Sequence, residues 1–335
     1  MRTAEESGGS PAVYFEVSFG IVIFVNMRLK RVLYPLIPAI CFFVTLSSCV
    51  KDRTEAPDFD EVINNYEDGP SVYYMDVARL NLALAETGQL ADKVFHYTQA
   101  GSDGILVPWN LTAEAGERLS DAYWSMGHIA YSQRMAFEAN VMDERDVNPR
   151  MVKRLIETNL VFGAYPVARK YIDILGKEKG WKKAAEGYRR FLDNDAAVEA
   201  DPELGPRRRC VPEKDFISLV RGIDEYLKDI IRFNPGYHKA IEYLGVIYLL
   251  DCEMDKFKEM LDEFYGTEAL PELPASFAEA ACMLSEIDRG YWKKVGVSSE
   301  MYKKYNDFKS RLENGLTPDK HKDTFWYYIM RVNSL

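Results

Sequence analysis

Side chains able to act as nucleophiles or metal ligands are few in this chain, and their spacing is poor. Its 335 residues hold five cysteines and four histidines. The histidines, His96, His128, His238 and His321, are scattered, so a metal site would have to assemble purely in three dimensions. Cys41 lies within an apolar run and Cys49 closes it, leaving Cys210, Cys252 and Cys282. An odd number without CxxC spacing argues against a structural zinc site or a disulfide framework. There is no GxSxG, HExxH, Walker loop or GxGxxG segment. Glu138 and Glu157 fall on helical stretches, where a glutamate can serve as the acid of a glycan-cleaving enzyme, although helical glutamates more often form a solvated face. The chain therefore reads as non-enzymatic, with no catalytic residue, metal or cofactor expected.

Cys49 differs from the other cysteines in its setting. From Met27 the sequence runs MRLKRVLYPLIPAICFFVTLSSC. Arg28, Lys30 and Arg31 form a basic start, and Val32 to Leu46 form an apolar core. Broken by Pro35 and Pro38, this core is shorter than the roughly 20 residues of a membrane-spanning helix and suits a signal peptide. Leu46-Ser47-Ser48-Cys49 resembles the lipobox of bacterial lipoproteins. The resemblance implies cleavage before Cys49 and acyl chains on its thiol and new amine, and several chains anchor firmly where one is marginal. Residues 27–48 are then a signal peptide. Residues 1–26 carry Glu5, Glu6 and Glu16 ahead of a second apolar patch, Phe19 to Val25, and read as an extension before the true start at Met27. Residues 49–70 are polar and acidic without a helical period, and read as a tether. Val50 is not the aspartate that retains some lipoproteins at the inner membrane, and Lys51-Asp52 partly resembles charged surface-export signals. The outer membrane is the expected location, within the cell envelope.

The formal charge is −10. Four basic and three acidic groups precede residue 49, so removing that segment leaves −11. Such a balance argues against binding nucleic acid, which needs clustered cations to displace counterions. The one tight basic run, Arg207-Arg208-Arg209, is too short to change that.

The elements that must carry any site are helices. Phe257, Met260, Leu261 and Phe264 fall at helical spacing, as do Val220, Ile223, Leu227, Ile230 and Ile231. Pairs are expected at Tyr73–Glu86 with Gln89–Tyr97, at Arg150–Phe162 with Pro166–Leu175, and at Tyr237–Leu250 with Asp255–Tyr265. Ser276 with Glu279 has capping-box spacing, and Thr317-Pro318 reads as a helix start. No period-two run is bounded by hairpin turns, so the predicted fold is all-α over residues 71–335.

In NPGYHKAIEYLGVIYLL, Pro235, Leu244-Gly245 and Tyr248 fall at the spacing of a tetratricopeptide repeat, which this stretch resembles. The resemblance implies a short α-solenoid of degenerate helical hairpins, with Gly245 allowing close approach and Tyr248 filling a groove. Ala136 and Ala168, 32 residues apart, occupy equivalent places, and residues 99–113 and 193–214 read as insertions. The segments NLALAETGQLADKVFHY, RMAFEAN, RLIETNLVFGAYPVARKYIDIL and DTFWYY resemble an uncharacterised family of membrane-associated, tetratricopeptide-like proteins of gut-type anaerobic bacteria.

Candidate contact residues follow from this frame. The loop Gly101 to Asn110 sets flexible glycines and Asp103 beside Pro108-Trp109, which suits contact with a sugar ring or a partner chain, or a plug between hairpins. Trp326 and Tyr327, in the terminal aromatic cluster, either cap the last apolar face or form a docking patch. The reading is a lipid-anchored scaffold whose concave, largely acidic groove binds basic protein partners. The alternative is a glycan-binding outer-membrane lipoprotein of the starch-utilisation type, with a hydrolase third.

Overall fold

The computed structural model describes residues 57–69, 72–212 and 222–332. The signal-like stretch, Cys49 and Val220 lie outside the described residues. Those described form helices throughout and no strand, with only two isolated bridges. Among them, no helix is long and apolar enough to cross a membrane.

The first half of the body runs α1 (Phe59–Asn64), α2 (Tyr74–Glu86), α3 (Leu90–Lys93), α4 (Ala113–Met126), α5 (Ile129–Met142), α6 (Pro149–Val161), α7 (Tyr165–Leu175) and α8 (Lys182–Tyr188). Two short helices follow, α9 (Asp195–Ala200) and α10 (Leu204–Arg208). The second half runs α11 (Ile223–Phe233), α12 (Lys239–Leu250), α13 (Met254–Phe264), α14 (Ala275–Leu284), α15 (Tyr291–Lys294), α16 (Ser299–Glu313) and α17 (Phe325–Val332). All three hairpins expected from the sequence are present, with no end moved by more than four residues.

Local chemistry sets the helix ends. Asn148 Oδ1 accepts from Met151 N at 3.2 Å, and Pro149 begins α6, so one orphan N–H is capped and another is absent. Gly127 stops α4 in the left-handed region, φ 85°, where the His128 N–H reaches back to Tyr123 O at 2.8 Å.

Three sequence expectations need correction. The tether is partly body: Asp58 caps α1 by accepting from Glu61 N, and α1 packs on α2. The acidic residues hid an apolar face, because Ile63 and Tyr66 lean on the main core. Ser276 and Glu279 do not form a capping box. Ser276 Oγ donates to Ala91 O, and Glu279 Oε2 accepts from Phe325 N at 2.8 Å, so both bind other elements. At Thr317-Pro318 the chain makes only a 3₁₀ turn, Asp319–His321, before α17.

Small residues let the hairpins close. Ala136 and Ala168 are both fully buried, on α5 and α7. Gly116 on α4 lies so near α5 that a methyl group there would sit 2.8 Å from Ala139 Cβ. Gly245 on α12 leaves room for the Phe277 ring of α14, which meets Phe257 edge-on at 5.2 Å. A phenylalanine where the repeat motif carries alanine is thus matched by a second ring and by the glycine beneath it.

From α4 to α7 each helix packs on the next as in a helical repeat array, but the first hairpin does not sit at the end of that row. In a simple solenoid each repeat touches its neighbours. Here α3 packs against both α12 and α14, and α4 also touches α12. Leu80, Leu84, Leu90 and Phe95 from the first hairpin share one core with Leu244, Phe257, Phe277 and Trp326. The first hairpin therefore lies inside the array, with α4–α8 extending from it as one arm and α11–α17 as the other. The stretch read as an insertion at 193–214 is structural too: α10 packs on α6, and Arg207 Nε donates to Trp124 O at 3.1 Å.

Gly245→Ala is expected to destabilise the protein by about 1–3 kcal/mol, because its Cβ would fall 2.1 Å from Phe277 Cζ. Gly187→Ala, a helix position with nothing within 4 Å, is the control and should be neutral or stabilising. Thermal unfolding of the two variants checks the difference.

Candidate interaction surface

A set of ion pairs links α4 to α6. Asp121 on α4 binds Arg150 at 2.7 Å and Arg154 at 3.2 Å, both from α6, while Arg150 also reaches Glu117 at 2.7 Å. Burial alone would raise the Asp121 carboxyl, but the two guanidinium groups outweigh it and hold it below the usual range. The Trp124 ring lies 4.3 Å from the Arg154 guanidinium and 4.6 Å from that of Arg207. Glu157, a sequence candidate for an acid, accepts from Tyr188 Oη at 2.7 Å and pairs with Arg154 and Lys153. Despite its burial these partners lower its pKa, so it stays ionised and cannot donate a proton near neutrality. Glu138 lies 3.8 Å from Arg134 on α5. Asp121, Glu117 and the Tyr188–Glu157 bond tie α6 to its neighbours, whereas the Glu138 pair lies within α5.

The basic run is consumed in the same way. Arg207 pairs with Glu203, Arg208 with Asp195 and Arg209 with Glu199. Among the described residues no group of three His, Cys, Asp or Glu side chains could hold a metal ion. His128 is buried and stacked on Tyr226 at 3.4 Å, while His321 faces Asp307 at 3.0 Å.

The loop candidates separate. Ile105 and Val107 are buried, and the Asn81 side chain donates to Gly104 O at 2.8 Å, so the loop is pinned along α2. Asp103 is exposed. Trp109 is half-buried against Met75, Val107 and Leu119, which makes it partly a plug with an open edge. Trp326 requires correction as a surface contact. It is fully buried, its indole N–H donates to Glu279 O at 2.7 Å, and it packs with Tyr305 and Phe308. Tyr327 beside it is half-buried. The DTFWYY cluster closes a core, because four consecutive aromatics cannot all reach solvent from one short helix.

A surface that the sequence reading missed lies on the first arm. Between α5 and α7, with α6 as its floor, runs an open groove of about 300 Å³. Ala130, Gln133, Arg134 and Phe137 form one wall, and Val167 and Tyr171 form the other. Leu155 and Asn159 lie at its base. Phe137 is 52% exposed and Val167 42%, with Val141 and Phe162 also exposed nearby in the sequence. Arg134 is the only charged residue in its lining, so this groove is not the acidic one expected. A signal was present: Met135, Ala136 and Ala139 mark the buried face of α5, and Phe137 falls off that stripe.

The family model that matches this chain covers residues 50–331, nearly the whole described body, and is described as a family of unknown function, DUF6057. The chain belongs to the DUF6057 family. No curated protein and no solved structure matches it.

In this DUF6057 chain the terminal helix is docked through a buried carboxyl. Glu279 lies under α17, and burial pushes its pKa up to about 8, opposed by the Phe325 N–H and aided by Asp323. The folded protein thus keeps a proton that the unfolded chain releases near pH 4.3. Its contribution is complete below that pH and is lost as pH rises toward 8. Glu279→Gln, which keeps an oxygen acceptor for Phe325, should remove this decline. Its stability relative to wild type should improve between pH 5 and pH 9 by on the order of 4 kcal/mol, read from denaturant titrations at both pH values.

Proposed function

We propose that the protein is a lipid-anchored scaffold of the cell envelope, and that the α5–α7 groove binds an amphipathic helix of a partner protein. The observation that carries this reading is the pair Phe137 and Val167, large apolar side chains left in water on opposite walls of a preformed channel. Exposed apolar area gains about 25 cal/mol per Å² when covered, and a trough between two helices accepts a third in the helix-in-groove manner. Arg134 on the rim favours an acidic side chain flanking the partner's apolar stripe. The anchor is the acylated Cys49, and the family match beginning at residue 50 supports a boundary at that cysteine.

The glycan-binding alternative has one feature in its favour, the half-buried Trp292 stacked on Tyr302 at 4.6 Å and 11°. The two rings occupy one face of each other, however, and Lys293 lies 5.2 Å from the indole. That leaves little aromatic area for a sugar.

Crosslinked pull-down from native membranes, comparing wild type, Phe137→Asp with Val167→Asp, and Cys49→Ala, tests the proposal. Wild type should recover one membrane protein complex. The groove variant should remain in the membrane fraction and lose recovery about tenfold or more, since buried aromatic anchors dominate such contacts. Cys49→Ala should leave the membrane. Equal recovery by the groove variant would contradict the site, and no partner from an anchored wild type would contradict the scaffold and turn attention to oligosaccharides.

A further inference from the structure

A second apolar surface lies where the first turns of α2 and α4 meet. Tyr73, 53% exposed, leans on Tyr74 with ring centroids 4.8 Å apart. Tyr74 and Trp109 rest on one small core of Met75, Ala78, Val107, Ala115 and Leu119, which fixes both rings at the surface. Beside Trp109, Pro108 is exposed, and Leu111 is 64% exposed. Leu111 has φ 60°, a left-handed conformation costly for leucine, held by Thr112 Oγ1, which donates to Asn110 Oδ1 at 2.6 Å and accepts from Ala115 N at 3.2 Å. An exposed leucine and proline among rigid tyrosine and tryptophan rings is the composition of a bilayer interface, where aromatic rings sit at headgroup level and aliphatic groups enter the acyl region.

Chain length makes a lipid surface the natural occupant. Pro57 is the eighth residue after Cys49, and α1, which starts two residues later, is packed on α2. Fully extended, eight residues span at most roughly 26–29 Å. An acylated Cys49 would hold the body close enough for its own surface to touch the membrane. Asp76 and Glu114 lie near Tyr73, with Arg118 3.9 Å from Glu114, so the charges beside the tip are mixed and give no pull toward an anionic lipid.

We infer that Tyr73, Tyr74, Pro108, Trp109 and Leu111 form a tip that rests in a zwitterionic bilayer interface and orients the anchored body. This inference rests on the lipid anchor proposed above. Full-length acylated protein, purified from membranes and placed in phosphatidylcholine vesicles with brominated acyl chains, provides the test. Bromine should quench the share of tryptophan emission contributed by Trp109. That quenching should be absent in Trp109→Phe and weakened in Leu111→Asp, which keeps the indole. Vesicle-bound protein with equal quenching in wild type and Trp109→Phe would overturn the tip while leaving the anchor intact. Protein that fails to float with vesicles would overturn both. A shift of Trp109 emission on adding maltoheptaose, without bromine quenching, would assign the patch to glycan and overturn the membrane contact.

Discussion

Glu86 ends α2 with its carboxylate 14% exposed, and three elements remote in sequence close on it. Ser125 at the end of α4 donates to Oε1 at 2.5 Å, Lys239 at the start of α12 reaches Oε2 at 2.7 Å, and Arg207 of α10 stands 3.8 Å away. Burial would raise this carboxyl, but Lys239, Ser125 and Arg207 more than compensate and keep it charged. Tyr237 adds a bond from its hydroxyl to Ser125 O at 2.8 Å. Replacing a buried ionic set by apolar groups can be neutral, whereas removing one partner costs about 3–5 kcal/mol because a charge is left unpaired. The value of Glu86 therefore lies in register: it fixes where α12 and α10 must sit against the first hairpin and α4.

The apolar core could not impose that arrangement alone. Hydrophobic burial is non-directional, and the leucines of α12 would gain similar area from several neighbouring faces. Once Glu86 sets the register, close contacts follow. Asp92 accepts from Ala275 N at 2.7 Å, and Phe95 reaches Phe325 and Tyr328 at 5.2 and 5.0 Å. The first hairpin becomes an interior element gripped on both sides, and the two arms are braced through it. A braced first arm can present Phe137 and Val167 at a fixed separation, and preorganisation is what allows a preformed groove to bind without an ordering cost.

The sequence showed much of this fold. The period-3.6 stripe in α13 and the repeat-like spacing in α12 placed one hairpin within two residues, and the repeat resemblance marked Gly245 as a close approach, although its neighbour is Phe277 of α14 rather than the paired helix α13. The order of packing was not legible. Glu86, Lys239 and Arg207 are ordinary charged residues when read along the chain, and no local pattern says that 153 residues of separation end in a 2.7 Å contact. Ser276 and Glu279 misled for a related reason: the capping-box pair has the same atoms that a tertiary contact needs, and Ala91 and Phe325 claimed them. Trp326 read as a candidate contact because composition cannot say which aromatic of a run faces inward. Phe137 was passed over in the RMAFEAN stretch, where only its angle from Met135 and Ala136 marks it as exposed.

The most direct test of this account is native-state hydrogen exchange on Glu86→Ala. If the first hairpin braces both arms through that carboxylate, amides in α4–α7 and in α12–α14 should lose protection together, by similar free energies. Loss confined to α2 and its turn, or to one arm alone, would contradict the central role of Glu86 and leave two independently stable halves.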